Sequence, residues 1–272
     1  MKQVTQLPRH MRANNSVAAL PLLSFACVTV ILGTWVLSSL MGTLRPSIIP
    51  PPWDIANAIY TLAVSGFAGH TLQTHIITSL GRFAAGFSLA AIIGIPLGLI
   101  MGWCAPARYV VTPFFEVFRF IAPLAWLPFA ALWFGTGIGG PILIVFSGAF
   151  APCVINTFHG TRLIDPVMIE ASRTLGATSW RLMVDILIPG AFPSILAGLR
   201  VSAALAWQSL IGAELIAATS GVGYLIVQGQ GSFETSIVLA GMISIGIVGV
   251  IIDALLRLAS DRASRKWMAA EA

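Results

Sequence analysis

Charge is the scarcest property of this chain. Only 9% of its 272 residues are Asp, Glu, Lys or Arg, where a soluble domain carries about a quarter. That excludes a solvated globular body. The 57% hydrophobic share and the mean hydropathy of +0.90 define a polytopic membrane protein instead, too short to hold a large soluble domain as well. Lysine occurs only as Lys2 and Lys266, and neither follows a glycine. The Gly-x-x-x-x-Gly-Lys-Ser/Thr loop that cradles nucleotide phosphates is therefore missing, and ATP hydrolysis by that route is excluded. The three cysteines, Cys27, Cys104 and Cys153, sit in or beside apolar runs with no Cys-x-x-Cys spacing, which excludes a disulfide framework and a zinc site. The histidines are scattered without ligand spacing, so no metal site is expected. An intramembrane serine protease would need Gly-x-Ser-Gly, but residues 145–148 read Val-Phe-Ser-Gly, and no nucleophile–base pair stands out.

What is present is a series of apolar runs divided by short polar loops. An uncharged run follows Lys2, Arg9 and Arg12 and is too long for the apolar core of a signal peptide; it predicts an uncleaved first span over 17–40. Residues 45–52, RPSIIPPP, favour extended geometry because three prolines forbid a helix interior. Ile55, Ile59 and Leu62 then recur at helical spacing. They suggest a short amphipathic helix over 53–65, lying on the outer interface or packed on the bundle. The second span covers 76–103, with Arg82 expected to snorkel to the interface. Gly81, Gly86, Gly94, Gly98 and Gly102 form a small-residue face for close helix packing, and Pro96 is a candidate bend. No charged residue occurs over 120–161, and the glycines of 135–141 split this run into spans at 111–134 and 142–160. The first of these contains Pro113, Pro123 and Pro128, so it reads as a broken helix of the kind that marks substrate paths. Arg119 falls near its inner end. A fifth span over 194–217 contains Glu214, a glycine-rich loop is expected around 221–231, and a sixth span over 235–256 leads into a basic tail with Arg257, Arg262, Arg265 and Lys266.

Six spans place both termini on the same side. Lys2, Arg9, Arg12, Arg108, Arg162, Arg173, Arg181, Arg200 and the tail cluster all fall on that side, which the positive-inside rule assigns to the cytoplasm. The net charge of +5 is thus accounted for by topology and gives no reason to expect nucleic acid as a partner.

The longest polar segment between apolar spans is EASRTLGATSWRLMVDILIP at 170–189. Asp165-Pro166 reads as a helix start, since Asp accepts from unpaired N–H groups and Pro has none to lose. Glu170 and Arg173 stand three apart and are expected to pair. Gly176 is a stop that tolerates the left-handed conformation. Thr178 or Ser179 caps a second short helix, expected to end at Pro189-Gly190. The segment predicts two short helices around a glycine corner, a docking element for a partner outside the membrane.

This segment resembles the signature of the permease subunits of binding-protein-dependent ABC importers: Glu-Ala-Ala, three residues, Gly, nine residues, Ile, one residue, Leu-Pro. Here Glu170, Ala171, Gly176, Ile186 and Pro189 stand at that spacing, with Ser172 in place of the second Ala and Ile188 in place of Leu. Nearly the whole chain after the first span is similar to the permeases for taurine, aliphatic sulfonates and nitrate, through PLAWLPFAALWFG at 123–135, IIPPP at 48–52, and GAELIAAT with GVG within 212–223. The resemblance implies an all-α type I importer permease with about six transmembrane helices. It implies a cytoplasmic coupling helix, made by Glu170, Ala171, Ser172, Gly176, Ile186 and Pro189, that inserts into a separate ATPase subunit. Its organisation would be a cytoplasmic N-terminus at 1–16, a first helix with a periplasmic Pro-rich segment at 17–75, a core at 76–258 with the coupling loop at 162–190, and a basic tail at 259–272.

The implied assembly is a permease homodimer in the bacterial inner membrane, with an ATPase dimer and a periplasmic substrate-binding protein. ATP and Mg would belong to the ATPase, and this chain would carry no cofactor of its own. The implied cargo is a small oxyanion, taurine or an aliphatic sulfonate first, with nitrate, bicarbonate or a vitamin precursor as alternatives. Trp126, Trp207, Gln208 and Glu214 are candidates to line the passage. An ion-driven carrier is the rival reading. Paired charges inside the spans would favour it, and Glu214 is the one residue the sequence offers for that role.

Overall fold

The computed structural model describes residues 16–43, 45, 47–135 and 137–270, and within these the side chains from 26 to 263. The charged N-terminus and the side chains of Arg265 and Lys266 lie outside that range. Every regular element among the described residues is helical: α1 (Ser16–Leu40), α2 (Pro52–Val64), α3 (Leu72–Trp103), α4 (Ala105–Phe120), a 3-10 turn (Pro123–Trp126), α5 (Leu127–Phe134), α6 (Gly139–Arg162), α7 (Pro166–Thr174), α8 (Ser179–Leu182), α9 (Ile188–Ala217), α10 (Val222–Gly231) and α11 (Thr235–Ala270). Helices α3, α6 and α11, and the continuous run Ser179–Ala217, are each long and apolar enough to cross a bilayer. The fifth such segment is the pair α4 and α5, bent by 91° at a break. With α1 these are the six apolar segments of the sequence.

Helix α6 is the centre of the bundle, with α3 along one side and α9 along the other. Small residues make both contacts. A methyl group at Gly86 would come within 2.6 Å of the Val145 side chain, and one at Gly98 within 2.7 Å of both the Thr157 Cβ and the Val154 carbonyl. Gly94 and Gly102 face Cys153 and Thr161 of α6 in the same way, whereas Gly81 has open space beside it and lies off this stripe. On the other side, Gly148 and Gly160 of α6 receive Ser209 and Ser194, and Gly198 of α9 receives Asn156. Backbones in lipid gain little from burying apolar area, so this close approach is what makes α3, α6 and α9 one body.

Four expectations need correction. The segment 222–231 is helix α10 rather than a loop. Its Val222 and Leu225 are fully buried, and Gly223 and Gly229 let it approach Glu214 and Ile237. Pro189-Gly190 does not end the helix after α8. A π-turn over Met183–Leu187 precedes it, and the chain continues into α9 with Pro189 in the first turn. That wide turn lies directly N-terminal to the proline, where a regular helix would set the ring against the preceding turn. The broken span begins earlier than 111, at Ala105, because Pro106 fits the start of α4. Arg82 does not snorkel; it is buried within the bundle. The open question over α2 is also answered: Ile55 and Leu62 are buried in a cluster with Leu72, Leu225 and Ala240, so α2 packs on the bundle.

Candidate functional site

The signature segment forms an exposed knuckle between α6 and α9. Asp165 caps α7, its Oδ1 accepting from the Val167 N–H at 2.9 Å, with Pro166 at the first helical position. The helix closes with paired bonds, Gly176 N–H to the Arg173 carbonyl at 2.9 Å and Ala177 N–H to the Ser172 carbonyl at 3.0 Å. Gly176 has φ +83°, the left-handed conformation that this closure demands. Thr178 Oγ1 then accepts from the Arg181 N–H at 3.4 Å and starts α8. Each of these bonds involves residues within a few positions of each other, so the corner is set by local chemistry.

The knuckle leaves apolar side chains without cover. Leu175 is 89% exposed and Trp180 75%, and Val167 and Met168 are exposed beside them. A groove of about 260 Å³ runs along it, lined by Ser172, Leu175, Gly176, Ala177, Arg181, Asp185 and Ile186. Ser172, Gly176 and Ile186 thus share one groove. Glu170 and Ala171 are exposed on α7, and Pro189 is half-buried in the first turn of α9. The expected Glu170–Arg173 pair is not formed. The Arg173 guanidinium lies over the Trp103 ring, 5.4 Å from its centroid, because the end of α3 offers an aromatic face that satisfies the cation. That contact ties the knuckle to α3.

Glu214 sits elsewhere, in a buried knot. It is 1% exposed, and its ion-pair partner Arg82 is 4% exposed. Arg82 Nη1 donates to Glu214 Oε1 at 2.9 Å and to the Ser220 carbonyl at 2.6 Å, while Nη2 donates to Ser220 Oγ at 2.8 Å. Ser79 Oγ lies 2.8 Å from both carboxylate oxygens, and the Gly223 N–H donates to Oε2 at 3.0 Å. Two further backbone donors of the turn are held by α3: Gly221 N–H reaches His75 Nδ1 at 3.2 Å and Val222 N–H reaches Ser79 Oγ at 3.0 Å. Gly221 has φ +112°, and any Cβ there would collide with the Glu214 carboxylate. The knot pins the α9–α10 turn onto α3.

Two larger spaces open beside the middle of α9. One, of about 570 Å³, is bounded by the break after α4, by α6 and by α9; its polar lining includes Arg119, Asn156, Gln208 and Ser209. The other, of about 540 Å³, lies between α9 and α11 and is lined by Trp207, Gln208, Arg200, Asp253 and Arg257 among others. Gln208 borders both. Trp207 is buried, donating from Nε1 to the Ile245 carbonyl at 3.2 Å and meeting Phe83 edge-on at 5.8 Å. Trp126 lines neither space. It belongs to the 3-10 turn and packs on Phe118 at 5.6 Å, beside the cluster around Leu127.

Of the four passage candidates, then, Gln208 and Trp207 border a cavity, whereas Trp126 and Glu214 are embedded in packing. Arg119 and Asn156 were not among the passage candidates read from the sequence. Their signal was a cation four residues before Pro123, and an amide inside a long uncharged run. Arg82–Glu214 is a charge pair inside the spans, as are Arg119–Glu116 at 2.7 Å and Arg200–Asp253 at 3.5 Å. Glu214 is therefore not the only candidate for such a pair.

A bundle of this kind, with an exposed knuckle at one end and polar cavities at its middle, defines a membrane transport component. The chain belongs to the family of binding-protein-dependent transport system inner membrane components, whose model matches residues 94–265. It is 35% identical over 242 residues to the taurine transport system permease protein TauC of Escherichia coli (strain K12), covering 88% of each chain. It is 33% identical over 231 residues to the nitrate import permease protein NrtB of Synechocystis sp. (strain PCC 6803), covering 83% of each. The fold matches a chain of the inward-facing MetNI methionine ABC transporter with a TM-score of 0.59 at 19% identity, over 80% of this chain and 98% of that one.

Proposed function

We propose that this chain is the membrane-spanning subunit of an ATP-driven importer that passes a small oxyanion, taurine or an aliphatic sulfonate, received from a periplasmic binding protein. Two copies form the passage beside two ATPase chains, which bind ATP and Mg. The observation that carries this reading is the knuckle: a locally fixed corner with uncovered Leu175 and Trp180, set between the two helices that pack most closely in the bundle. Isolated exposed apolar side chains need no explanation, but a cluster of them on an ordered loop marks an interface. The 35% identity to TauC along 88% of the chain supports the cargo class, and the similarity to NrtB keeps nitrate as the alternative. The charge bias along the chain supports a cytoplasmic knuckle and cytoplasmic termini. The division into 1–16, 17–75, 76–258 and 259–272 follows from the same topology.

Mechanism follows from what the knuckle touches. ATP would close the ATPase pair, and the knuckle would move with it. Because α6 and α9 approach closely at Gly148, Gly160 and Gly198, they move as a rigid pair. Helix α9 also meets the broken span, where a methyl group at Gly212 would come within 2.7 Å of Leu124 Cδ2. Movement of α9 is thereby passed to the 3-10 turn and to the cavity beside it, which would open to alternate sides. The turn beyond α9 stays fastened to α3 by the Arg82–Glu214 knot.

An ion-driven carrier would need titratable groups that exchange partners. In the knot both Glu214 oxygens already accept hydrogen bonds within the protein, which favours a fixed fastening over a proton site. The test is reconstitution. Co-expressed with its genetic neighbours, the chain should co-purify with a P-loop ATPase, and vesicles holding the complex, its binding protein and ATP should accumulate taurine or ethanesulfonate. Accumulation driven by an ion gradient without ATP would contradict the proposal.

A further inference from the structure

We infer that Arg119, at the break between α4 and the 3-10 turn, is the residue that recognises the negative head group of the transported solute, with the Gln208 amide as its neutral companion across the same cavity. The inference rests on the proposed function above and assigns the chemistry of its passage.

The position is unusual for an arginine. It occupies the last turn of a membrane-embedded helix, immediately before the chain turns by 91°. It lines the 570 Å³ cavity together with Asn156, Gln208 and Ser209, and Ile121, Leu124, Ala151 and Leu205 supply an aliphatic wall. It also lines a smaller space of about 260 Å³ on its other side, together with Arg108 and His159. Arg119 and Ile155 are the residues common to the two spaces, so Arg119 stands at the partition between them. The cation is committed on one side only. Its Nε meets Glu116 Oε2 at 2.7 Å, and the guanidinium carbon lies 4.9 Å from the Phe120 ring centroid. No hydrogen bond or ion pair from Nη1 or Nη2 to a described residue accompanies these contacts. About a third of the side chain remains open, at 35% exposure. The glutamate and the ring hold the group in place, and the terminal nitrogens are left to present the paired donors that suit an oxyanion.

Gln208 supports the same reading. It borders the cavity from mid-α9 and is exposed, with no hydrogen bond to the described residues. An amide in that state facing hydrocarbon would be costly, so its place in the fold calls for water or a polar solute. The combination suits a solute with a compact anionic end and a small remainder: the oxygens toward Arg119 and Gln208, the remainder against Leu124, Ala151 and Leu205.

Three variants test this in the reconstituted complex: Arg119→Gln, Arg119→Lys and Gln208→Leu, with taurine, ethanesulfonate and nitrate as probes. Arg119→Gln should lower ATP-driven uptake of ethanesulfonate by about tenfold or more, the loss of one charge-assisted contact. ATPase stimulation by the loaded binding protein should stay within about twofold of the parent, since the knuckle is untouched. Arg119→Lys should recover part of the uptake, and Gln208→Leu should lower uptake without lowering ATPase stimulation. Uptake by Arg119→Gln equal to the parent's for all three probes would overturn the inference, as would a parallel fall of uptake and ATPase activity in Arg119→Gln and Arg119→Lys. If Arg119→Gln does not assemble, parental uptake by Gln208→Leu overturns it. Failure of the parental complex to carry any of the three oxyanions would instead strike the proposed function.

Discussion

Glu214→Ala is expected to remove most of the stability of the assembled bundle. The substitution leaves Arg82 buried at 4% exposure, with its Nε already lacking a hydrogen-bond partner among the described residues. It also strips an acceptor from Ser79 and from the Gly223 N–H. Removing one partner of a buried ion pair costs about 3–5 kcal/mol, because the remaining charge is neither hydrated nor paired. Thermal unfolding in detergent should show a large drop in Tm, with little folded protein recovered at growth temperature. Arg82→Ala should do the same, leaving the carboxylate stranded. The double variant Arg82→Met with Glu214→Leu should be more stable than either single one, since no uncompensated charge remains. Single variants that melt with the parent would show that the pair contributes nothing to the fold.

Gly176→Val is expected to separate ATP hydrolysis from uptake. A Cβ at this position meets nothing within 4 Å, so no neighbour is displaced and the bundle should insert and fold. The strain is entirely in the backbone. A β-branched residue at φ +83° costs about 1–3 kcal/mol. The cheapest escape is to open the paired bonds from Gly176 and Ala177 that close α7. The corner would then lose its angle, and α7 and α8 would no longer present Leu175 and Trp180 together. Uptake by the reconstituted complex should fall by about tenfold or more, the equivalent of losing a contact worth over about 1.4 kcal/mol. Basal ATP hydrolysis should persist. Gly176→Asn should keep substantially more uptake, because Asn enters the left-handed region at lower cost. Parental uptake by the valine variant would count against the coupling role.

These two sites differ in how far the sequence could reveal them. The knuckle was legible because Asp165, Gly176 and Thr178 act on backbone groups two or three residues away, and such chemistry is written in short spacings. The α3 stripe was legible for a similar reason: Gly86, Gly94, Gly98 and Gly102 recur along one helical face. The knot was not. Arg82 and Glu214 are 132 positions apart, and nothing local to either names the other. Alone, each reads as an isolated charge in an apolar run, which is why Arg82 was expected at the interface.

The remaining differences arose where packing overrode local chemistry. Gly221, Gly223 and Gly229 look like loop residues by composition. Gly221 does make a turn, at φ +112°, but Gly223 and Gly229 are needed for close helix contacts. Pro189 looks like a terminator, yet the π-turn before it lets the helix continue. Arg119 shows the same limit. Its charge was visible in the sequence, but its place at a partition between two cavities depends on how α4, α6 and α9 meet.

The central claim is that the knuckle between α6 and α9 rests on an ATPase subunit and carries its motion. It is tested most directly by placing a cysteine at the exposed tip. Leu175→Cys, with Cys27, Cys104 and Cys153 replaced, should form a disulfide with a cysteine introduced at the ATPase surface of the native complex when a mild oxidant such as copper phenanthroline takes up the two electrons. The yield of that bond should change when ATP is bound, and reducing it should restore uptake. If the cysteine is instead labelled from the periplasmic side by an impermeant reagent, or stays equally open to labelling with and without the ATPase, the knuckle does not contact the ATPase and the account fails.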